Sequence, residues 1–359
     1  MTVSPLVSII VPAYNTGRYI GEMLECCRVQ TWHNIEVVVV DDGSPDDTAH
    51  VARAYCELDA RFRLALQSNR GVSAARNKGI GLASGEKLLF LDSDDTFEPD
   101  LVAKCLETLE RTGAEAVLYG YADGTLDAPG RPHEFEISGV YKGRQIVERL
   151  VPHFIGHSFE DIEAWIRGEK GMRQGKEHTA LWRAMIDAET VRANSLTFDE
   201  TMSLGEDTLF INEYLIHADS VAVLDECLYY LRQRDGSANA TSNGNPVLML
   251  ENKLKVIRAR ERVGAAALRE KGFDLWPFWR GTNVLSLLQL CLELGKRRSL
   301  GCREGWQQLK RFESDPSVRK SLAEYKPKGG IRSLPFRMVK AGMLPMLYIL
   351  ARFAPTRVL

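Results

Sequence analysis

The chain has 359 residues, too many for one ordinary hydrophobic core, so two or three compact units of roughly 150 residues are expected. Hydrophobic residues make up 45% and charged residues 26%, which excludes a mainly disordered chain, a collagen-like chain and a polytopic membrane protein. Lys plus Arg is 46 and Asp plus Glu is 48, a net charge of −2, so no global basic field calls for nucleic acid, and no such partner is expected.

In chain order, Leu6 to Val11 is a short apolar run rich in β-branched residues and predicts a strand. Arg18 to Gln30 predicts a helix with Ile20, Met23, Leu24 and Cys27 on one face. Ile35 to Val40 is a second strand, and Asp47 to Leu58 a second helix built on Val51, Ala54 and Tyr55. Ser73 reads as the N-cap of a further helix. Lys87 to Leu91 and Ala116 to Tyr119 repeat the strand pattern. Between them Asp100 to Arg111 predicts a helix on Leu101, Cys105, Leu106 and Leu109, stopped by Gly113. Runs apolar on both faces suit a sheet covered by helices on both sides. Strand, helix, strand in short order implies an α/β fold of parallel units with right-handed crossovers.

In such sheets ligands sit beyond the carboxyl ends of the strands. Pro12-Ala13-Tyr14-Asn15 follows the first run, Asp41-Asp42-Gly43-Ser44 the second, and Asp92-Ser93-Asp94-Asp95 the run ending at Leu91. Singly, each acidic motif reads equally well as a turn or helix cap. Together they gather carboxylates on one rim, where they repel unless a cation or hydrogen-bond donors sit among them. Oxygen-only ligands suit Mg²⁺ or Mn²⁺. Neither GxGxxG nor GxxxxGK[ST] occurs, so phosphates must be held by metal and basic side chains. Arg70 and Arg76 are the candidates, against the plainer reading of surface ion pairs.

The order Val7-Ser8-Ile9-Ile10-Val11-Pro12-Ala13-Tyr14-Asn15, Asp41-Asp42-Gly43-Ser44, Asn69-Arg70-Gly71, Ala75-Arg76-Asn77 and Asp92-Ser93-Asp94-Asp95 resembles family 2 glycosyltransferases. Trp182, Phe198-Asp199-Glu200 and Gly205-Glu206-Asp207-Thr208 look like that family's acceptor-side block. Leu228-Tyr229-Tyr230-Leu231-Arg232-Gln233-Arg234-Asp235-Gly236-Ser237 looks like its Tyr-Tyr-Arg-Gln-Arg segment. The resemblance implies a GT-A fold, a Rossmann-like, mostly parallel sheet with flanking helices, and an inverting mechanism. It implies a catalytic domain over 1–240, with 1–120 binding the nucleotide-sugar and 121–240 facing the acceptor.

The same resemblance distributes roles. Pro12, Tyr14 and one of Asp41 or Asp42 would line the nucleobase pocket, a carboxylate accepting the uracil imide N–H. Arg76 would lie near ribose or phosphates. Asp92-Ser93-Asp94 would be the DxD motif, with Asp94 bridging a Mn²⁺ or Mg²⁺ ion to the diphosphate and Asp92 also at the metal, nearer the ribose. Asp207 is the candidate general base and Glu206 the weaker one, although acidic residues in a first helical turn are favoured anyway. Trp182 would stack on an acceptor sugar unless it is a packing residue. Arg232 and Arg234 would close over the diphosphate with Ser237. The donor implied is UDP-hexose or UDP-N-acetylhexosamine, and the acceptor a saccharide or lipid-linked saccharide of surface polysaccharide synthesis. A homo-oligomer is compatible with it.

From 246 to 359 a separate helical region is expected, with helices over Pro246 to Gly272 and Trp276 to Gly295. From Lys326 onward there are seven basic residues and no acidic one, interleaved with apolar clusters and cut by Pro335, Pro345 and Pro355. Such a tail either lies on an anionic membrane surface or packs back as a helical hairpin. Seven cysteines without a CxxC pair fit a reducing, cytoplasmic compartment, with peripheral attachment to the inner face of the cell membrane. The first apolar stretch lacks the basic flank of a signal peptide, and no run of about 18 apolar residues predicts a membrane span.

Two other readings stay open on sequence. Asp92-Ser93-Asp94-Asp95-Thr96 also fits the DxDxT pattern of haloacid dehalogenase-like phosphatases, with Asp92 as nucleophile and Asp94 as acid/base. A non-catalytic sugar-binding protein on the same fold is the second.

Overall fold

The computed structural model describes residues 4–133, 135, 137–151, 180–202, 205–233, 246–297, 299–326 and 333–353. They divide into two compact units, the first holding Met1–Leu150 and Thr179–Asp235 and the second including Gly236–Leu359.

The first unit is one mixed sheet with helices packed on it. Its strands are β1 (Val7–Ala13), β2 (Ile35–Asp41), β3 (Phe62–Leu66), β4 (Lys87–Phe90), β5 (Thr96–Phe97), β6 (Ala116–Thr125), β7 (Ala128–His133), β8 (Gly139–Lys142), β9 (Ala184–Asp187) and β10 (Ser220–Leu231). They are ordered β3-β2-β1-β4-β9-β6-β10-β5, with β7 beside β6 and β8 beside β10. β3, β2, β1 and β4 are parallel, and β1 and β2 are buried along their whole length. That explains their unbroken Val and Ile runs, since both faces are covered. β9 enters antiparallel between β4 and β6, whereas β6 and β10 run parallel.

The crossovers are α1 (Ile20–Arg28), α2 (Thr48–Leu58), α3 (Val72–Leu82) and α4 (Leu101–Thr112), followed later by α5 (Ala188–Ala193) and α6 (Glu206–His217). Gly113 ends α4 in the left-handed conformation at φ 65°, the stop expected of a residue without Cβ. Ser73 does not cap α3. Gly71 is the N-cap at φ 91° and Ser73 is buried as the second residue of the helix, because the backbone enters the helix in a conformation only Gly adopts without strain. Asp92-Ser93-Asp94-Asp95 does not start a helix either. It is a turn leading into β5, and α4 begins at Leu101 after Asp100.

The second unit contains α7 (Pro246–Lys271), α8 (Trp276–Lys296), α9 (Cys302–Glu313), α10 (Pro316–Glu324), α11 (Leu334–Lys340) and α12 (Leu344–Phe353). Its own core includes Leu254, Leu287, Leu294, Phe312, Phe336 and Tyr348. α12 packs on α8, where a Cβ at Gly295 would come within 2.6 Å of the Ala351 Cβ. Pro335 and Pro345 are each second in their helix, where a missing N–H costs nothing. Among the described residues the tail is thus two short helices, and Pro355 lies outside them. Among the described residues no helix is long and apolar enough to cross a membrane. All seven cysteines are free.

Candidate active site

The parallel register brings the ends of β1, β2 and β4 to one edge, with Ala13 beside Asp41 and Ile10 beside Phe90. Each end opens into one of the motifs read from sequence. Pro12 is buried in β1, and Tyr14 beyond it is 48% exposed.

Asp41 and Asp42 are both buried, but they differ in what they hold. Asp42 Oδ1 accepts hydrogen bonds from the Gln67 side chain and the Arg70 backbone N–H, each 2.8 Å, and its Oδ2 accepts from Gly71 N–H at 2.8 Å. Its carboxylate is spent on shaping the turn before α3. Asp41 Oδ2 accepts from Ser44 N–H at 3.3 Å, and its buried Oδ1 has no hydrogen-bond partner. A buried carboxylate oxygen without a donor is costly, and a ligand N–H would satisfy it.

Arg76 is the centre of the arrangement. It is 4% exposed, and its guanidinium meets carboxylates from two other elements. Nη2 donates to Asp92 Oδ1 at 3.1 Å; Nη1 donates to Glu206 Oε1 at 3.2 Å and to Asp207 Oδ1. The planar fork suits Arg for this, where Lys would offer a single point charge. Its position follows from α3, which lies close on β1: a Cβ at Gly79 would fall 2.3 Å from Ile10 Cγ2.

The segment before α6 is fastened to the same helix. Asn77 Nδ2 donates to Phe198 C=O at 2.9 Å, and Phe198 N–H donates back to Asn77 Oδ1 at 2.8 Å. Arg70 pairs with Glu200 at 2.7 Å. The Phe198 ring stacks on Phe210 with centroids 4.2 Å apart and lies beneath the Arg76 guanidinium at 5.3 Å. Asn77 and Phe198 belong to two motifs 121 residues apart that only the fold ties together.

The charges follow from this packing. Burial raises the Asp207 carboxyl, helped by Glu206 and Asp92 and opposed by Arg76, so that it titrates at about 7. Arg76 stays protonated because the pull of Asp207, Asp92 and Glu206 outweighs its burial. Behind the acidic turn, Asp95 is raised well above the usual carboxylate range by burial and by its neighbours Asp92 and Asp94. Tyr229 Oη donates to Asp95 Oδ2 at 2.7 Å and accepts from Asp92 N–H at 3.2 Å; Arg232 N–H donates to Asp95 Oδ1 at 2.7 Å. Ser93 is buried and Asp94 half-buried.

Two sequence expectations change, those for Trp182 and Arg232, and Arg76 gains partners that sequence did not name. Trp182 is a packing residue: it is 3% exposed, with its ring stacked on Tyr229 at 4.6 Å and edge-on to Tyr121, so no face is open to a sugar. The Arg76 guanidinium pairs with Asp92, just beyond β4, and with Glu206 and Asp207 at the start of α6. Arg232 turns back on its own unit, its side chain donating to Asp94 C=O at 2.9 Å and to Glu22 and lying over the Tyr19 ring. Arg234 and Ser237 lie outside the described residues.

Among the described residues no three His, Cys, Asp or Glu side chains form a ready-made metal cage. Asp92 and Asp94 offer hard oxygen donors, and Mg²⁺ or Mn²⁺ commonly takes one or two carboxylates together with substrate phosphates. That donor set fits such an ion bound with a diphosphate.

Residues 8–159 match the model of glycosyl transferase family 2. The putative glycosyltransferase EpsH of Bacillus subtilis is 33% identical over 233 residues, 64% of this chain and 61% of that protein. The succinoglycan biosynthesis protein ExoO of Rhizobium meliloti is 31% identical over 235 residues, 65% of this chain and 62% of that protein. The chain thus spans about 61–62% of the length of these relatives. Among solved structures, TarS residues 1–349 of S. aureus in complex with UDP-GlcNAc aligns with a TM-score of 0.64 at 20% identity, covering 97% of this chain and 90% of that one. The mannosyltransferase PcManGT from Pyrobaculum calidifontis, in complex with GDP-Man and Mn²⁺, aligns with a TM-score of 0.50 at 18% identity, covering 98% and 87%. The likeness to these two structures is one of fold.

Proposed function

The chain belongs to glycosyl transferase family 2, and from that premise we propose that it is an inverting glycosyltransferase acting in surface polysaccharide synthesis. It transfers a hexose or N-acetylhexosamine from a UDP-sugar to a hydroxyl of a saccharide or lipid-linked saccharide. The observation that carries this reading is the single buried guanidinium of Arg76, which holds Asp92 from the end of β4 and Glu206 and Asp207 from the start of α6 around one point. Support for the substrate class comes from relatives named for polysaccharide synthesis and from nucleotide-sugars bound by structural neighbours.

In this mechanism the nucleobase enters beside Pro12 and Tyr14, and its imide N–H donates to the unpartnered oxygen of Asp41. Asp42 keeps the turn before α3 in shape. Asp92 and Asp94 would hold Mn²⁺ or Mg²⁺, which when bound offsets the charge that develops on the leaving diphosphate. Asp207 takes the proton of the acceptor hydroxyl as its oxygen attacks the anomeric carbon opposite the leaving group, which sets inversion.

The phosphatase reading gives way to the family match, and Asp92 follows the fourth strand of the chain, not the first. The decisive measurement is a panel of nucleotide-sugars with Mn²⁺, scored for binding by thermal shift and for transfer by anomeric configuration of the product. A UDP-sugar is expected to bind and yield an inverted product. Asp207→Asn is expected to bind that donor normally while transfer falls by roughly 10²–10⁴-fold. Unchanged turnover in this variant removes Asp207 from the mechanism, and donor binding without transfer by the wild-type chain supports a non-catalytic sugar-binding protein.

A further inference from the structure

In the second unit, α12 has two unlike faces. Leu344, Tyr348 and Ala351 are buried toward the core. Met346, Ile349, Leu350 and Phe353 point outward, 44%, 53%, 54% and 81% exposed. Their spacing of three, one and three residues puts them on one stripe of the helix. Met343 just before the helix and Leu334 at the start of α11 are exposed as well. Isolated exposed apolar residues need no explanation, but a continuous stripe of large ones does.

The charge around the stripe narrows what covers it. Among the described residues from Lys326 onward the charged side chains are Lys326, Arg337, Lys340 and Arg352, all basic, and Arg337 on α11 is exposed. A second copy of the chain meeting this face with its own would set like charges together. An anionic lipid surface offers opposite charge at the headgroups and an apolar layer just beneath them. α12 has ten residues, about 15 Å of helix against a hydrocarbon core of roughly 30 Å, so it lies in the interface and does not span it.

We infer that α12 is a membrane-docking helix, inserting Met346, Ile349, Leu350 and Phe353 into the acyl boundary of an anionic bilayer while the basic residues around it hold the headgroups. The inference deepens the proposed function by naming the surface that would bring a lipid-linked acceptor within reach. Because the test involves no sugar transfer, it stands or falls apart from that reading.

The test is flotation of the full chain with vesicles of phosphatidylcholine alone or with about 30% phosphatidylglycerol. The wild-type chain is expected to float with the anionic vesicles at low salt and to be released in part by about 0.5 M salt. Replacing Ile349, Leu350 and Phe353 together by Gln removes only exposed side chains. It is expected to lower vesicle binding by at least about tenfold while nucleotide-sugar binding stays at the wild-type level. Arg337→Gln is expected to weaken binding less and to reduce its salt dependence. Equal flotation of wild type and the triple variant overturns the inference, as does equal binding to neutral and anionic vesicles. A lipid-independent dimer in analytical ultracentrifugation that the triple variant dissolves would assign the stripe to a second copy instead.

Discussion

As the proposed base, Asp207 acts only when it has lost its proton, and burial places that loss at about pH 7. kcat/KM is therefore expected to rise with pH along an acidic limb whose midpoint lies near 7. The positive charge of Arg76 pulls this value down, so removing it must move the limb upward. Arg76→Gln is expected to shift the midpoint to higher pH, and Arg76→Lys to shift it less, since the charge stays while the fork is lost. A pH–rate profile of the three proteins checks this, and an unmoved limb in Arg76→Gln would separate Arg76 from the base. The acidic motifs, Arg76 and Asp207 were legible from sequence because each sits at a strand end or helix start in a set order. Which partner Arg76 takes was not, since a guanidinium serves phosphate and carboxylate equally well and only the fold brings residues 92, 206 and 207 to it. Trp182 misled for a similar reason: a large aromatic is as much at home in a core as on a sugar.

At the scale of elements, the depth of the guanidinium is set by how closely α3 lies on β1. The contact at Gly79 leaves no space for a methyl group, the nearest atom being part of the Ile10 side chain within the sheet. Gly79→Ala is expected to destabilise the fold by about 1–3 kcal/mol through overpacking, although an exposed helix would gain from Ala. Chemical denaturation checks the sign. Transfer is expected to fall further than stability alone explains, because Arg76 sits one turn away on the same helix. β1, β2, β4 and β6 were readable in the sequence, being apolar runs covered on both faces. β5 was not, with two residues, too short for a periodic signal. β3, Phe-Arg-Leu-Ala-Leu, was missed because Arg63 cuts its apolar run to three residues, Leu64 to Leu66.

Across the described residues, each unit has a core of its own. The first gathers residues from β1, β2, α1 and α4, and the second gathers α7 to α12. A nucleotide-sugar with Mn²⁺ is expected to slow amide exchange around β1, β2 and the turn at Asp92 to Asp95, leaving α8 and α12 unchanged. Exchange mass spectrometry on the full chain reads both at once, and protection confined to the helical unit would refute the donor site. The three-way ion pair at Arg76 also limits how such a chain can be recombined with its relatives. Arg76 and Asp92 belong to the stretch that matches the family model, whereas Glu206 and Asp207 come after it. A chimera joined between those stretches inherits its cation from one parent and two of its acids from the other. Unless both parents keep the same register, it buries a charge with no counterpart, so grafts that exchange donor preference should carry positions 76, 92, 206 and 207 as a block.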